Sequence, residues 1–124
     1  MSEIAYKGMT YKITWVGLMS PTVERLYRRE ADGSFDESPP SESQVAWCVE
    51  WLQRFAKPRK TVNRMSSYGL KHCVEAWCGD YVSNGAFIEA ARRLGFEVIP
   101  CGPMNPNAVF RLSFDREAIK QIRA

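Results

Sequence analysis

One helix with a marked beginning and a marked end constrains the fold of this chain more than any other feature. The segment SNGAFIEAARRL, residues 83–94, starts at Ser83 or Asn84, both favoured at helix N-caps, and Gly95 ends it. Apolar residues recur inside it at helical spacing, at Phe87, Ile88, Ala91 and Leu94. The pattern predicts an amphipathic helix that buries one side against a core.

Two alternating apolar runs follow this helix, separated by a connection rich in Gly, Pro and Asn. Such an arrangement is typical of a β-hairpin, so we expect residues 96–101 to pair antiparallel with residues 108–113. Asp115 is a plausible N-cap for a short closing helix at the C-terminus.

Two further helices are predicted upstream. Ser43 can cap a helix over residues 43–57, which Pro58 would stop. Ser66 or Ser67 can cap a second helix over residues 66–78, with Gly79 placed for a left-handed C-cap. The apolar positions of these elements predict the core, which comprises Val45, Leu52, Phe55, Leu70, Val74, Trp77, Phe87, Ile88, Ala91, Leu94, Val98 and Phe110.

The N-terminal part is less regular. Residues 9–16 alternate and are rich in β-branched and aromatic side chains, which predicts a strand. Residues 20–30 fit either a helix capped by Ser20 or a strand entering a hairpin, and residues 31–43 predict a loop. At 124 residues we expect one α+β domain, with residues 1–40 a strand-containing extension with an acidic loop, and residues 41–124 its core.

Composition excludes several classes of protein. The N-terminus has neither the basic nor the apolar region of a signal peptide, and no apolar run reaches membrane-spanning length, so we expect a cytoplasmic protein with no membrane contact. The four cysteines lack metal-site spacing and are expected to be buried, inert thiols. They are Cys48, Cys73, Cys78 and Cys101.

Catalytic patterns are missing from the sequence. It has no glycine-rich phosphate loop, no paired carboxylates in an apolar setting and no nucleophile–base arrangement that spacing reveals. His72 is expected at the surface without a catalytic partner. We therefore expect a protein that is not an enzyme and uses neither a cofactor nor a metal.

Charge is divided sharply along the chain. From Glu30 to Glu50 there are six acidic residues and no basic one, which we call the acidic block. From Arg54 to Lys71 there are six basic residues and no acidic one, which we call the basic block. Clustered basic residues are the electrostatic signature of nucleic-acid-binding proteins, although they also occur on ordinary solvated surfaces.

Three helices with a tight turn between the last two, followed by a hairpin, resemble the winged helix-turn-helix domains of phage and mobile-element proteins. The segments that carry the resemblance are SSYGLKHCVEAWCG, DYV, SNGAFIEAARRLG and FEVIPCGPMNPNAVFRLSF. The same stretch is similar to small uncharacterised proteins of proteobacterial phages and integrated elements. Residues 1–40 lie outside the resemblance.

The resemblance implies nucleic-acid binding, with DNA favoured over RNA, through the helix at residues 83–94. Its outward face would carry Gly85, Ala86 and Glu89, the last of which would repel phosphates or pair with the arginines that follow it. Asn107 would lie near the tip of the wing. The expected nucleic-acid contacts are Arg59, Lys60, Arg64, Lys71, Asn84, Arg92 and Arg93.

A second function remains open at this point, that of an anti-defence inhibitor, similar in its way of working to anti-CRISPR proteins. Such a protein would cover a basic channel of a host nucleoprotein complex with its acidic block, or approach the bound nucleic acid with its basic block. Tryptophans on the first core helix would suit the protein interface. Alternatively, the N-terminal segment packs over those tryptophans. The expected partner contacts are Asp36, Glu37, Trp47 and Trp51, and a homodimer is also compatible with the sequence.

Overall fold

The computed structural model describes residues 2–30, 37–115, 117, 118 and 120. Its N-terminal part is a three-stranded antiparallel sheet followed by a helix. The elements are β1 (Glu3–Tyr6), β2 (Met9–Ile13), β3 (Leu18–Met19) and α1 (Pro21–Glu30). The predicted strand therefore ends at Ile13, and the open choice at residues 20–30 resolves as a helix, where the Ser20 hydroxyl accepts a hydrogen bond from the Val23 N–H at 3.1 Å.

The second part of the chain carries the predicted helices. They are α2 (Glu42–Phe55), α3 (Ser67–Cys78) and α4 (Asn84–Arg93), with β4 (Ala56–Pro58) directly after α2. Ser83 caps α4 by accepting from the Ala86 N–H, and Gly79 ends α3 with a φ of 78°. The predicted cap at Ser43 is wrong, because α2 begins earlier, at Glu42, with Ser41 as its N-cap.

The C-terminal strands are shorter than predicted and have two different partners. β5 (Ile99–Pro100) pairs antiparallel with β6 (Ala108–Val109), as the hairpin requires. The sequence predicts that residues 108–113 form one strand of that hairpin. Instead, β7 (Leu112–Phe114) is a separate strand that pairs antiparallel with β4. The chain is thus a mixed α+β domain in which the end of α2 is joined to the C-terminal strands.

One hydrophobic cluster links the two parts. Nine of the predicted core residues are buried in it, whereas Phe55, Trp77 and Leu94 are partly buried and pack against it. The N-terminal sheet contributes Tyr11, Ile13 and Leu18 to the same cluster. Within the part of the chain that is described, no helix combines the length and apolar character needed to cross a bilayer.

Beyond Asp115, residues 117, 118 and 120 are helical. The Asp115 carboxylate accepts a hydrogen bond from the Glu117 N–H at 2.9 Å, which fits its predicted capping role.

Candidate nucleic-acid interface

Helix α4 is buried on every side along most of its length, so the predicted recognition surface is wrong. Residues 84–91 are all buried, including Gly85, Ala86 and Glu89, which were expected to face outward. A helix that reads a DNA groove needs exposed side chains in its first turns. Only its last two residues, Arg92 and Arg93, are exposed.

The turn between β2 and β3 of the N-terminal sheet covers the face of α4 that a groove would occupy. The Gly85 N–H donates to the Trp15 carbonyl at 3.0 Å, and a Cβ at Gly85 would lie 1.7 Å from the Thr14 carbonyl oxygen. The small residues that would suit a nearby DNA backbone are therefore in contact with the protein's own backbone.

Glu89 organises the C-terminal half of α4. Its carboxylate accepts from the Ser2 hydroxyl at 2.6 Å and forms ion pairs with Arg92 at 2.6 Å and Arg93 at 3.1 Å. Arg93 also pairs with Glu42 of α2 at 2.6 Å. The predicted pairing of Glu89 with the two arginines is confirmed, and both cations are largely neutralised within the protein.

Burial alone would raise the pKa of the Glu89 carboxyl, but hydrogen bonds from Arg92 and Ser2 outweigh burial and hold the pKa below its ordinary value of 4.5. A carboxyl whose pKa is lower in the folded state than in the unfolded state stabilises the fold when the pH is above its unfolded-state pKa. That stabilisation is lost as the pH falls through the folded-state pKa. Ionised Glu89 therefore contributes at neutral pH.

We expect Glu89→Gln to lower the free energy of unfolding at pH 7 by about 1–3 kcal/mol, the range for charge-assisted hydrogen bonds. The difference from wild type should be smaller at a pH below the folded-state pKa of Glu89, because both side chains are neutral there. Urea unfolding at the two pH values measures it. An equal difference at both would show that the Glu89 charge contributes nothing. Duplex binding should be unchanged, because the carboxylate is buried.

Lys71 and Asn84 are also inside the protein rather than on its surface. Lys71 is 5% exposed, and its ammonium pairs with Glu75 at 3.1 Å. The same ammonium lies 5.4 Å from the ring centroid of Tyr68 and 4.5 Å from that of Tyr81. The Asn84 amide donates to the Val16 carbonyl at 2.9 Å. The side chains of Lys71 and Asn84 are therefore held by other residues of the protein.

The residues expected to bind a protein partner are dispersed. Trp51 is fully buried and its ring contacts those of Phe87 and Phe114, so it is not accessible for the expected partner contact. Trp47 is 36% exposed and contacts Trp77 edge-on. Glu37 pairs with Lys12 at 3.3 Å, and Asp36 lies outside the described residues.

The basic loop, residues 57–64, is where the remaining predicted contacts lie. It runs beside the C-terminal strands, held by the Asn63 N–H, which donates to the Phe110 carbonyl at 2.8 Å. The Arg59 guanidinium donates to two carbonyls of the loop itself, those of Thr61 and Val62. The exposed cations of the loop are Lys57, Arg59, Lys60 and Arg64.

A groove with a volume of about 560 Å³ opens beside Lys71, and we call it the aromatic groove. The turn between β2 and β3 forms one side, and the first turn of α3 with the α3–α4 connection forms another. Its lining residues are Trp15, Val16, Tyr68, Lys71, Tyr81, Asn84, Pro106 and Asn107.

Packing of the β2–β3 turn brings these segments together. The Leu18 N–H donates to the Pro106 carbonyl at 2.9 Å. Gly17, at a φ of 141°, approaches the same carbonyl so closely that a Cβ would lie 2.3 Å from its oxygen. The turn therefore depends on glycine for its contact with the hairpin connection.

Sequence reasoning missed the three aromatic residues of this groove. Tyr68 carried a usable signal, because it falls on the outward face of α3 opposite the stripe that Leu70 and Val74 define. Trp15 fell within the strand predicted for residues 9–16 but lies in the β2–β3 turn, and Tyr81 lies in the α3–α4 connection, where periodicity assigns no face. His72 was correctly expected to be exposed, and its ring packs edge-on against Tyr68 with centroids 4.7 Å apart.

The cysteines divide into two kinds. Cys48 and Cys73 are buried, as expected, and burial raises the pKa of both thiols, that of Cys73 to about 11. Cys78 is half-buried and Cys101 is exposed, so the expectation of burial is wrong for the latter. Among the described residues, no group of three His, Cys, Asp or Glu side chains is arranged to hold a metal ion.

Comparison of the chain with protein-family models, with curated proteins and with solved structures gives no match.

Proposed function

We propose that this protein binds nucleic acid through phosphate contacts made by its basic loop, without inserting α4 into a groove. The order of three helices and a C-terminal hairpin supports a winged-helix-like scaffold for this loop. The N-terminal sheet occupies the position at which a recognition helix would meet DNA. Affinity in this mode is largely independent of base sequence, because phosphates are common to all sequences.

The observation that carries the proposal is the concentration of unpaired cations in the basic loop. Within the described part of the chain, Lys57, Lys60 and Arg64 are exposed and have no carboxylate within 4.0 Å. By contrast, the cations paired with acids include Lys12, Lys71, Arg92, Arg93 and Arg111. Uncompensated cations concentrated in one loop attract a polyanion most strongly.

The loop is also held in one shape before any ligand binds. Backbone hydrogen bonds join Arg59 and Asn63 to the C-terminal strands, and the Arg111 guanidinium donates to the Lys60 carbonyl at 2.7 Å. The Asn63 side chain adds a hydrogen bond to the Leu112 carbonyl at 3.1 Å. A loop ordered in advance loses less conformational entropy on binding.

The inhibitor function has less support from the described residues. An acidic surface that mimics nucleic acid needs carboxylates that are not already paired. Of the acidic block, Glu37 pairs with Lys12 and Glu42 pairs with Arg93, whereas Glu50 is exposed without an ion pair among the described residues. One observation favours a protein partner, the partly exposed ring of Trp47. Because a single ring is less support than the unpaired cations of the basic loop, this function is second to nucleic-acid binding.

The test changes Lys57, Lys60 and Arg64 together to glutamine and leaves Arg59, which shapes the loop, in place. Binding of a labelled duplex is measured by fluorescence anisotropy over a range of salt concentrations. We expect weaker binding to every sequence. The log–log salt dependence should flatten by about one unit for each phosphate that the variant no longer neutralises.

A matched control removes three positive charges elsewhere, by changing Lys7, Arg25 and Lys120 to glutamine. This variant should keep the wild-type salt dependence, since only the net charge changes. Absence of salt-dependent binding by the wild type at low ionic strength would contradict the proposal. In that case a pull-down from bacterial lysate that captures protein despite nuclease treatment would favour the inhibitor function.

A further inference from the structure

We propose that the aromatic groove binds unpaired bases of a nucleic-acid strand whose phosphates contact the basic loop. The inference rests on the proposed function and narrows its ligand to single-stranded or locally opened nucleic acid. It follows from the rings that line the groove, from two amide groups with unused hydrogen-bonding atoms, and from the position of the basic loop.

Three aromatic side chains of the groove are exposed to solvent. The exposed fractions are 38% for Trp15, 54% for Tyr68 and 57% for Tyr81. Every nucleobase has a flat π-face, and aromatic side chains in a positively charged groove bind successive bases by stacking. Three such rings around one groove therefore match the chemistry of unpaired bases better than that of a phosphate backbone alone.

Lys71 fixes the two tyrosines at one end of the groove. Its ammonium lies close to both rings and forms an ion pair with the Glu75 carboxylate. Burial alone would raise the pKa of Glu75, but hydrogen bonds from Lys71 and the Val82 N–H hold the pKa below its ordinary value. The carboxylate is thus ionised at neutral pH, and the tyrosines are anchored before a base arrives.

The opposite wall carries two side-chain amides whose hydrogen-bonding atoms are not all paired. The Asn84 side-chain nitrogen donates to the Val16 and Pro106 carbonyls and to the Asn107 side-chain oxygen. Within the described residues the Asn84 Oδ1 is buried without a hydrogen-bond partner, and Asn84 as a whole is 7% exposed. The Asn107 Nδ2 has no partner among the described residues either, and Asn107 is half-buried, so this wall offers a donor to a base edge.

The groove is adjacent to the basic loop. Arg64 precedes Tyr68 by four residues, a distance of at most about 14 Å along an extended chain. The Ser67 hydroxyl accepts from the Ala108 N–H at 3.1 Å, which holds the start of α3 beside the hairpin connection. One strand therefore reaches both sites. The described lining contains a lysine and no carboxylate, so it does not repel a polyanion.

The experiment compares three labelled ligands of equal length: an oligothymidine, an abasic strand with the same phosphates, and a duplex. The variant carries Tyr68→Ala and Tyr81→Ala together. We expect it to bind the oligothymidine roughly 5- to 150-fold more weakly for each base that can no longer stack. Its affinity for the abasic strand should equal that of the wild type.

Two control variants exclude structural effects. Changing both tyrosines to phenylalanine keeps the rings and should retain most of the affinity. Trp47→Ala removes an exposed ring outside the groove lining and should leave oligothymidine binding unchanged.

The inference fails if the wild type binds the abasic strand as tightly as the oligothymidine, or if the double alanine variant binds oligothymidine like the wild type. Either result is compatible with phosphate binding by the basic loop. Failure of the proposed function differs, because the wild type would then bind none of the three ligands in a salt-dependent manner.

Discussion

Replacing Phe87 with alanine is expected to lower the free energy of unfolding by roughly 3–5 kcal/mol. Phe87 is fully buried, with its ring 6.1 Å from that of Trp51 and 5.5 Å from that of Phe110. The truncation removes buried apolar area and leaves a cavity between α2, α4 and the C-terminal segment. Urea unfolding followed by tryptophan fluorescence measures the decrease.

Tyr68→Ala is the matched control, since it removes an aromatic ring that is 54% exposed. Its cost should stay within about 1 kcal/mol, as for most surface substitutions. A Phe87 variant as stable as the Tyr68 variant would mean that α4 is not the centre of the core, and the assignment of its buried face would be wrong.

Local signals explain why the helices of the second part could be predicted. Ser83 accepts from the N–H three residues on, and Gly79 adopts the left-handed conformation that the pattern indicated. These contacts involve residues close in sequence, so residue type and spacing determine them. The same holds for the pairing of Glu89 with Arg92 and Arg93, which spacing along a helix also predicts.

Contacts between distant segments could not be predicted in this way. Gly85 and Ala86 are small, so the backbone of DNA or another segment of the protein could lie close to them. The sequence contains no signal that decides between these two possibilities. The choice depends on the N-terminal sheet, which lies about 70 residues earlier in the chain and whose β2–β3 turn contacts α4 through Thr14 and Trp15. Tertiary packing therefore decided whether α4 is exposed.

Strand pairing shows the same limit. The run at residues 108–113 alternates as a strand should, but alternation does not name the partner. Ala108 and Val109 pair with β5, whereas Leu112 pairs with Pro58 in β4. The aromatic groove has the same limit, because its lining residues come from four separate segments of the chain.

Gly85→Ala is expected to lower the free energy of unfolding by about 3 kcal/mol or more, the upper part of the range for overpacking. The new methyl group would meet the Thr14 carbonyl carbon at 2.7 Å as well as its oxygen. Two backbone hydrogen bonds between Thr14 and Gly17 close the β2–β3 turn, so this carbonyl cannot move aside individually. We therefore expect the N-terminal sheet to separate from α4. Hydrogen exchange at residues 9–13 should accelerate, and urea unfolding measures the total decrease in stability.

Gly69→Ala is the matched control, because Gly69 is also a glycine near the start of a helix. Its added methyl group would meet the Met65 side chain, whose Cγ lies 2.6 Å away and which can change rotamer. Alanine favours a helix over glycine by about 0.5–1 kcal/mol, so this variant should be nearly neutral. Equal stability of the two variants would mean that Thr14 does not cover α4. That face would then be open to a DNA groove, and the predicted recognition helix would again be the better explanation of binding.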